Sequence, residues 1–196
     1  MTVLTSRITS ALLAAAIGSA AIACTSQSED STAHTSLTAC ITQRGEVDLS
    51  QFLEDPCIGD SQSLSHFHAA LIASSDSALE HALGPVTILV PDNSAFEQLA
   101  ERVGISINAL LNDTTILNDL INHHVVAGEI DLSSSSNRVE ELITSSGNSV
   151  TKTLDGFGAK FHFCENEIAS AKYAPVDIQE GQVIVIDRVL VNPSAC

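Results

Sequence analysis

The chain has 196 residues, with 24 acidic side chains against 8 Lys and Arg, and a formal net charge of −16. Such a chain repels phosphate backbones and anionic membrane surfaces. It also lacks the clustered cations that counterion-release binding needs, so no nucleic-acid partner is expected. Apolar residues make up 44% and aromatics only 4%, which predicts a core that is mainly aliphatic, and the 16% of charged residues suits an exported protein.

Residues 1–23 read as a secretion signal. Arg7 is followed by an apolar stretch, Ala11 to Ala23, too short to span a bilayer and ending in small residues before Cys24. Ala21-Ile22-Ala23-Cys24 resembles a bacterial lipobox, with Ala21 where Leu is usual. The resemblance implies that Cys24 is acylated and tethers the protein to a membrane. The alternative is an ordinary Ala-x-Ala cleavage site. The polar, Ser- and Thr-rich run after Cys24 has no periodicity and predicts a flexible tether within residues 24–60.

Setting Cys24 aside leaves Cys40, Cys57, Cys164 and Cys196, an even number in an oxidising compartment. Two disulfides are expected, with three possible connectivities. The short loop between Cys40 and Cys57 is cheap to close, which favours Cys40–Cys57 with Cys164–Cys196 and predicts a loop-rich, stapled segment there. Zinc is the rival use of these thiols, but no C-x-x-C spacing supports it.

The folded domain is expected over residues 61–196. Leu64, Phe67, Leu71 and Ile72 recur at helical spacing. "VTILVP" is a β-branched strand closed by Pro91, which brings no N–H to a ladder. Asp92, Asn93 and Ser94 are each able to accept from helix N-terminal N–H groups, and Phe96 and Leu99 then share one helical face. A short turn of helix over "SINALLN" and a helix opened by Asp113 and Thr114 follow. The second carries Ile116, Leu117, Leu120 and Ile121 on one side. Gly128 predicts a tight turn at positive φ. Glu140 and Glu141 are read as a solvated helix face. Beyond them, "NSVTKTL", "AKFHFC", "APVDIQ" and "QVIVIDRVLV" are strand-like. The last is apolar on both faces: Val183, Val185 and Val189 on one, Ile184, Ile186 and Leu190 on the other. It is therefore expected centrally in its sheet. Helices in the first half and strands in the second predict an α+β fold.

Three stretches together resemble fasciclin-like domains: "VTILVPDNSAF" from Val86, "LLNDTTILNDLINHHVVAGEI" from Leu110, and "GQVIVIDRVLV" from Gly181. The motif positions are Pro91, Asn93, Phe96, His123, His124, Gly128 and Asp187. Asn93 stands where the family often has Asp, and His123 where it commonly has Tyr. The resemblance implies a wedge of β-strands packed with several short helices. It also implies extracellular binding or adhesion without catalysis.

The adjacent histidines, His123 and His124, raise the question of chemistry. On a strand the two rings point to opposite faces, and on a helix neighbours also diverge, so they do not form a ligand pair. One buried and one exposed ring is the expectation, with a pH-sensitive interface as the alternative. His66 and His68, two apart on a predicted helix, likewise diverge. His162 is expected to point outward between Phe161 and Phe163. His34 falls in the tether, and His81 near a helix C-terminus. No nucleophile elbow, P-loop, H-E-x-x-H or dinucleotide loop is present, so no catalytic residue, metal or cofactor is assigned. Asn112-Asp113-Thr114 fits a glycosylation sequon.

The expectation is thus an exported bacterial lipoprotein facing the periplasm or cell exterior. It would be attached through an N-terminal lipid and would bind a protein or polysaccharide surface partner. Two alternatives stand beside it: a carrier of a small apolar ligand in a groove, and a metal-assisted enzyme using the histidines.

Overall fold

The computed structural model describes residues 47–54, 63–74, 79, 84–132, 139–155 and 157–192. Five helices and eight strands lie within them: α1 (Leu49–Glu54), α2 (Ser65–Ala73), β1 (Val86–Pro91), α3 (Asn93–Val103), α4 (Ile107–Leu111), α5 (Thr114–His123), β2 (Val125–Ala127), β3 (Glu140–Ile143), β4 (Ser149–Asp155), β5 (Gly158–Phe163), β6 (Glu167–Ser170), β7 (Val176–Ile178) and β8 (Gly181–Ile186).

Two four-stranded sheets form. The first runs β2-β1-β8-β7, with β1 and β8 parallel and the outer pairs antiparallel; the second runs β3-β4-β5-β6 and is antiparallel throughout. Isolated bridges, Val126 to Thr144 and Ala171 to Ile186, join the two sheets. The parallel β1–β8 pair explains why both strands are apolar on both faces. Ile88, Val90, Val183 and Val185 pack with the helices. Leu89, Ile184 and Ile186 pack with Val150, Phe161 and Ala169 of the second sheet. Val189 joins the first cluster and Leu190 the second, as the alternation predicted. Five of the six phenylalanines, 52, 67, 96, 161 and 163, are buried among these aliphatics, each contributing about 1.5–3 kcal/mol by its removal from water.

Local chemistry fixes the helix ends. The Asp92 carboxylate accepts the Ala95 N–H at 2.8 Å and caps α3, while Gly104 in the left-handed region ends it. Asp113 caps α5 by accepting from Thr115 and Ile116, each at 3.1 Å. Asn93 does not cap its own helix. Its carbonyl oxygen accepts the His66 N–H at 2.9 Å and so caps α2, whose own N-cap residue, Leu64, has no side-chain acceptor.

Three expectations are corrected. The segment read as loop-rich before residue 61 contains α1, and Leu49, Phe52 and Leu53 lie in the core. The Glu180 carboxylate, at the turn before β8, accepts the Leu49 N–H at 3.1 Å and anchors this helix. Glu140 and Glu141 lie in strand β3 rather than on a helix. Glu140 stands directly opposite Lys152, whose ammonium it meets at 2.6 Å; Lys152 itself is only 2% exposed and also donates to the Asp131 carbonyl at 2.8 Å. Ile72, placed on the apolar face of its helix, is exposed; Leu64, Phe67 and Ala70 make the buried contacts.

Candidate functional site

The two histidines sit where α5 gives way to β2. The last carbonyls of a helix have no partner within it. Here the His124 ring supplies one, and the His123 ring adds a bond one residue earlier. His123 Nδ1–H donates to the Asp119 carbonyl at 2.6 Å, and His124 Nδ1–H donates to the Leu120 carbonyl at 2.7 Å. Each ring is then committed at its other nitrogen. His123 Nε2 accepts from the Asn148 side-chain amide at 2.7 Å, in the β3–β4 turn. His124 Nε2 accepts the backbone N–H of Leu190 at 2.9 Å, beyond β8. The two rings therefore diverge, as adjacent positions on a helix must, and tie one helix end to two remote parts of the chain.

Both rings are buried, His123 at 4% and His124 at 0% exposure, which corrects the expectation of one exposed histidine. The reason is the turn at His124. It continues neither the helix nor a strand, and both side chains fold back over the preceding helical turn. The edge of the His124 ring meets Phe67 with centroids 6.2 Å apart. Burial holds the His124 pKa down to about 3, with the Leu120 bond opposing it and the neighbouring His123 ring adding slightly to the effect. His124 is thus the neutral Nδ1–H tautomer: a carbonyl faces one nitrogen and a backbone N–H the other.

The other motif positions are structural joints. Pro91 is buried at the end of β1, and Phe96 is fully buried. Gly128 adopts φ 85°. Its carbonyl accepts from the buried Thr87 hydroxyl at 2.7 Å, and the Thr87 hydroxyl oxygen in turn accepts the Ile130 N–H at 3.1 Å. The Asp187 carboxylate accepts the Ser170 N–H at 2.7 Å and holds β6 to the end of β8. His162 lies between the buried Phe161 and Phe163 and pairs with the Thr153 hydroxyl at 2.8 Å. The His66 ring meets Phe96 edge-on at 6.1 Å. Among the described residues, no three His, Cys, Asp or Glu side chains gather as metal ligands. Cys164 takes part in a disulfide. Cys24, Cys40, Cys57, Cys196, His34 and His81 lie outside the described residues.

A feature not anticipated residue by residue is a groove of about 400 Å³ beside this joint. Leu110, Leu120 and Leu190, all buried, line it together with Leu99 and Val191, and Val103, Ile105 and Ile116 are 53%, 39% and 41% exposed along it. Asp119, His123 and Asn192 are its polar members. The exposed position of Ile116, on the same helix as the buried Leu117 and Leu120, is the one local sign of it.

The family model for the fasciclin domain matches residues 62–192. The chain belongs to the fasciclin domain family. Its α+β arrangement, with helices in the N-terminal half, is the fasciclin fold. A FAS1 domain pair from the insect cell adhesion molecule fasciclin I is similar in structure, with a TM-score of 0.51 and 20% sequence identity. The match covers 67% of this chain and 46% of that one, so this chain spans about half the length of that relative. No curated protein matches the chain. Fasciclin domains are adhesion-type modules, generally non-enzymatic, and typically belong to extracellular or cell-surface proteins.

Proposed function

We propose that this fasciclin domain is a non-catalytic binding or adhesion module, held at a bacterial cell envelope by a lipid on Cys24. It would engage a protein or polysaccharide on a facing surface. One observation supports the reading most: at the family's paired motif positions, all four imidazole nitrogens of His123 and His124 are spent on internal hydrogen bonds. Rings bound in this way brace a scaffold and have no nitrogen left for proton transfer or metal ligation. The signal-like leader and the polar run after it support an anchored, exported chain. Several acyl chains, at about 0.8 kcal/mol per buried CH₂, suffice for stable attachment. The disulfide pairing that belongs to this reading is Cys40–Cys57 with Cys164–Cys196.

The test is to express the full chain and its Cys24→Ser variant in a bacterial host. Intact mass should show acylation of the first protein only. Cells carrying the first, and not the second, should adhere to surfaces coated with envelope material. An unacylated mature chain would remove the anchor, and equal adherence of both strains would remove the surface role.

The groove favours a second reading, a carrier of a small apolar ligand. Its volume lies in the range of small-molecule sites, and its lining is aliphatic with few polar groups.

A further inference from the structure

Three large aliphatic side chains, Val103, Ile105 and Ile116, are left in water along one groove whose floor is Leu110, Leu120 and Leu190. Exposed apolar residues scattered singly need no explanation, but a contiguous set over a concave floor marks a binding surface. Among the described residues the groove carries one charged side chain, the exposed Asp119. Among the described residues its carboxylate has no hydrogen-bond or ion-pair partner, whereas its backbone carbonyl is occupied by His123. No Lys or Arg among the described residues lines the groove. The neighbouring cations are otherwise engaged: Arg102 and Arg188 both pair with Glu167, at 3.4 and 3.0 Å. The field of the whole chain, at −16, has the same sign as Asp119.

We propose that this groove binds amphiphiles with an aliphatic tail and a cationic, ammonium-type head, the tail lying on Leu110, Leu120 and Leu190 and the head at Asp119. The proposal rests on the carrier reading and adds the charge of the ligand to it. An anionic amphiphile of equal tail length is disfavoured twice, by Asp119 and by the net charge. An uncharged one gains the tail contacts alone.

The test uses the full chain and three decyl probes kept below their aggregation concentrations: decylammonium, decanol and decanoate. Decylammonium should bind more tightly than decanol by about fivefold at low salt, the factor that one ion pair at about 4 Å supplies in water, and decanoate should bind most weakly. Asp119→Asn should remove most of the preference of decylammonium over decanol, leaving the smaller share due to the net charge, and should leave decanol unchanged. Added salt should have the same effect. Ile116→Gln, at an exposed position, should weaken all three probes and so place them in the groove. If decanol binds and responds to Ile116→Gln while the ammonium preference is missing or survives Asp119→Asn undiminished, the charge assignment is wrong and the carrier reading stands. If no probe binds, or Ile116→Gln changes none of them, the carrier reading falls as well.

Discussion

His124 and Leu190, 66 residues apart, are joined by a hydrogen bond of 2.9 Å from the Leu190 N–H to His124 Nε2. The same ring closes the end of α5 through Leu120. His124→Phe keeps a ring of similar size but leaves a buried N–H and a buried carbonyl unpaired. It should cost about 2–4 kcal/mol of unfolding free energy, read as a lower urea midpoint at unchanged slope. His123→Phe should cost less, about 1 kcal/mol, because Asn148 is half-buried and reaches water when freed. Equal losses at the two positions would contradict this.

The burial of neutral His124 has a pH consequence. Its folded pKa, about 3, lies below the unfolded value near 6.5. Between those values the unfolded chain binds the extra proton, so stability is whole above about pH 6.5 and declines as pH falls towards 3. The slope is about 1.4 kcal/mol per pH unit, or about 2 kcal/mol lost from this group between about pH 6.5 and 5. NMR should show the His124 ring signals unmoved over that interval. A midpoint near solution reference would refute the assignment.

Gly181 and Gly128 both have positive φ, 139° and 85°, but differ in surroundings. A Cβ at Gly181 would stand 2.1 Å from the Val86 carbonyl oxygen, inside the β1–β8 pairing, whereas at Gly128 nothing lies within 4 Å. Gly128→Ala should therefore cost only the backbone term, about 1–2 kcal/mol. Gly181→Ala must push two central strands apart and should cost more than about 4 kcal/mol, or abolish folding. Thermal denaturation of the two variants decides it.

Asp92 is buried, which would raise its pKa, yet the Lys172 ammonium, the Ser94 hydroxyl and the Ala95 N–H together hold it below the usual carboxylate value. A depressed folded pKa means that its stabilisation is full above about pH 3.9 and is lost as pH falls through the folded value. Asp92→Ala should cost about 2–3 kcal/mol at neutral pH through the lost cap and ion pair. Lys172→Met should be more damaging at neutral pH than in acid, where a protonated Asp92 needs no counter-charge. A pH-independent effect of Lys172→Met, followed by denaturant titration, would count against the pair.

The sequence alone determined much of this protein. Apolar, largely β-branched runs specified β1 and β8 as strands, and the apolar residues on both alternating faces of β8 specified its burial on both sides, although each strand also buries one polar residue, Thr87 and Gln182. Asp92 and Asp113 marked helix starts, because their carboxylates sit three residues or fewer before free N–H groups. The tertiary structure decided what local pattern does not encode. The short, polar stretch around Glu140 became a strand because Lys152 lies opposite it. The helix Leu49–Glu54 was fixed by Glu180, 131 residues from Leu49. Both histidines were buried because their partners, Asn148 and Leu190, come from distant turns. The groove arose in the same way: its floor and rim are contributed by α3, α4, α5 and the segment after β8, and no single helix shows a gap that only their packing leaves open.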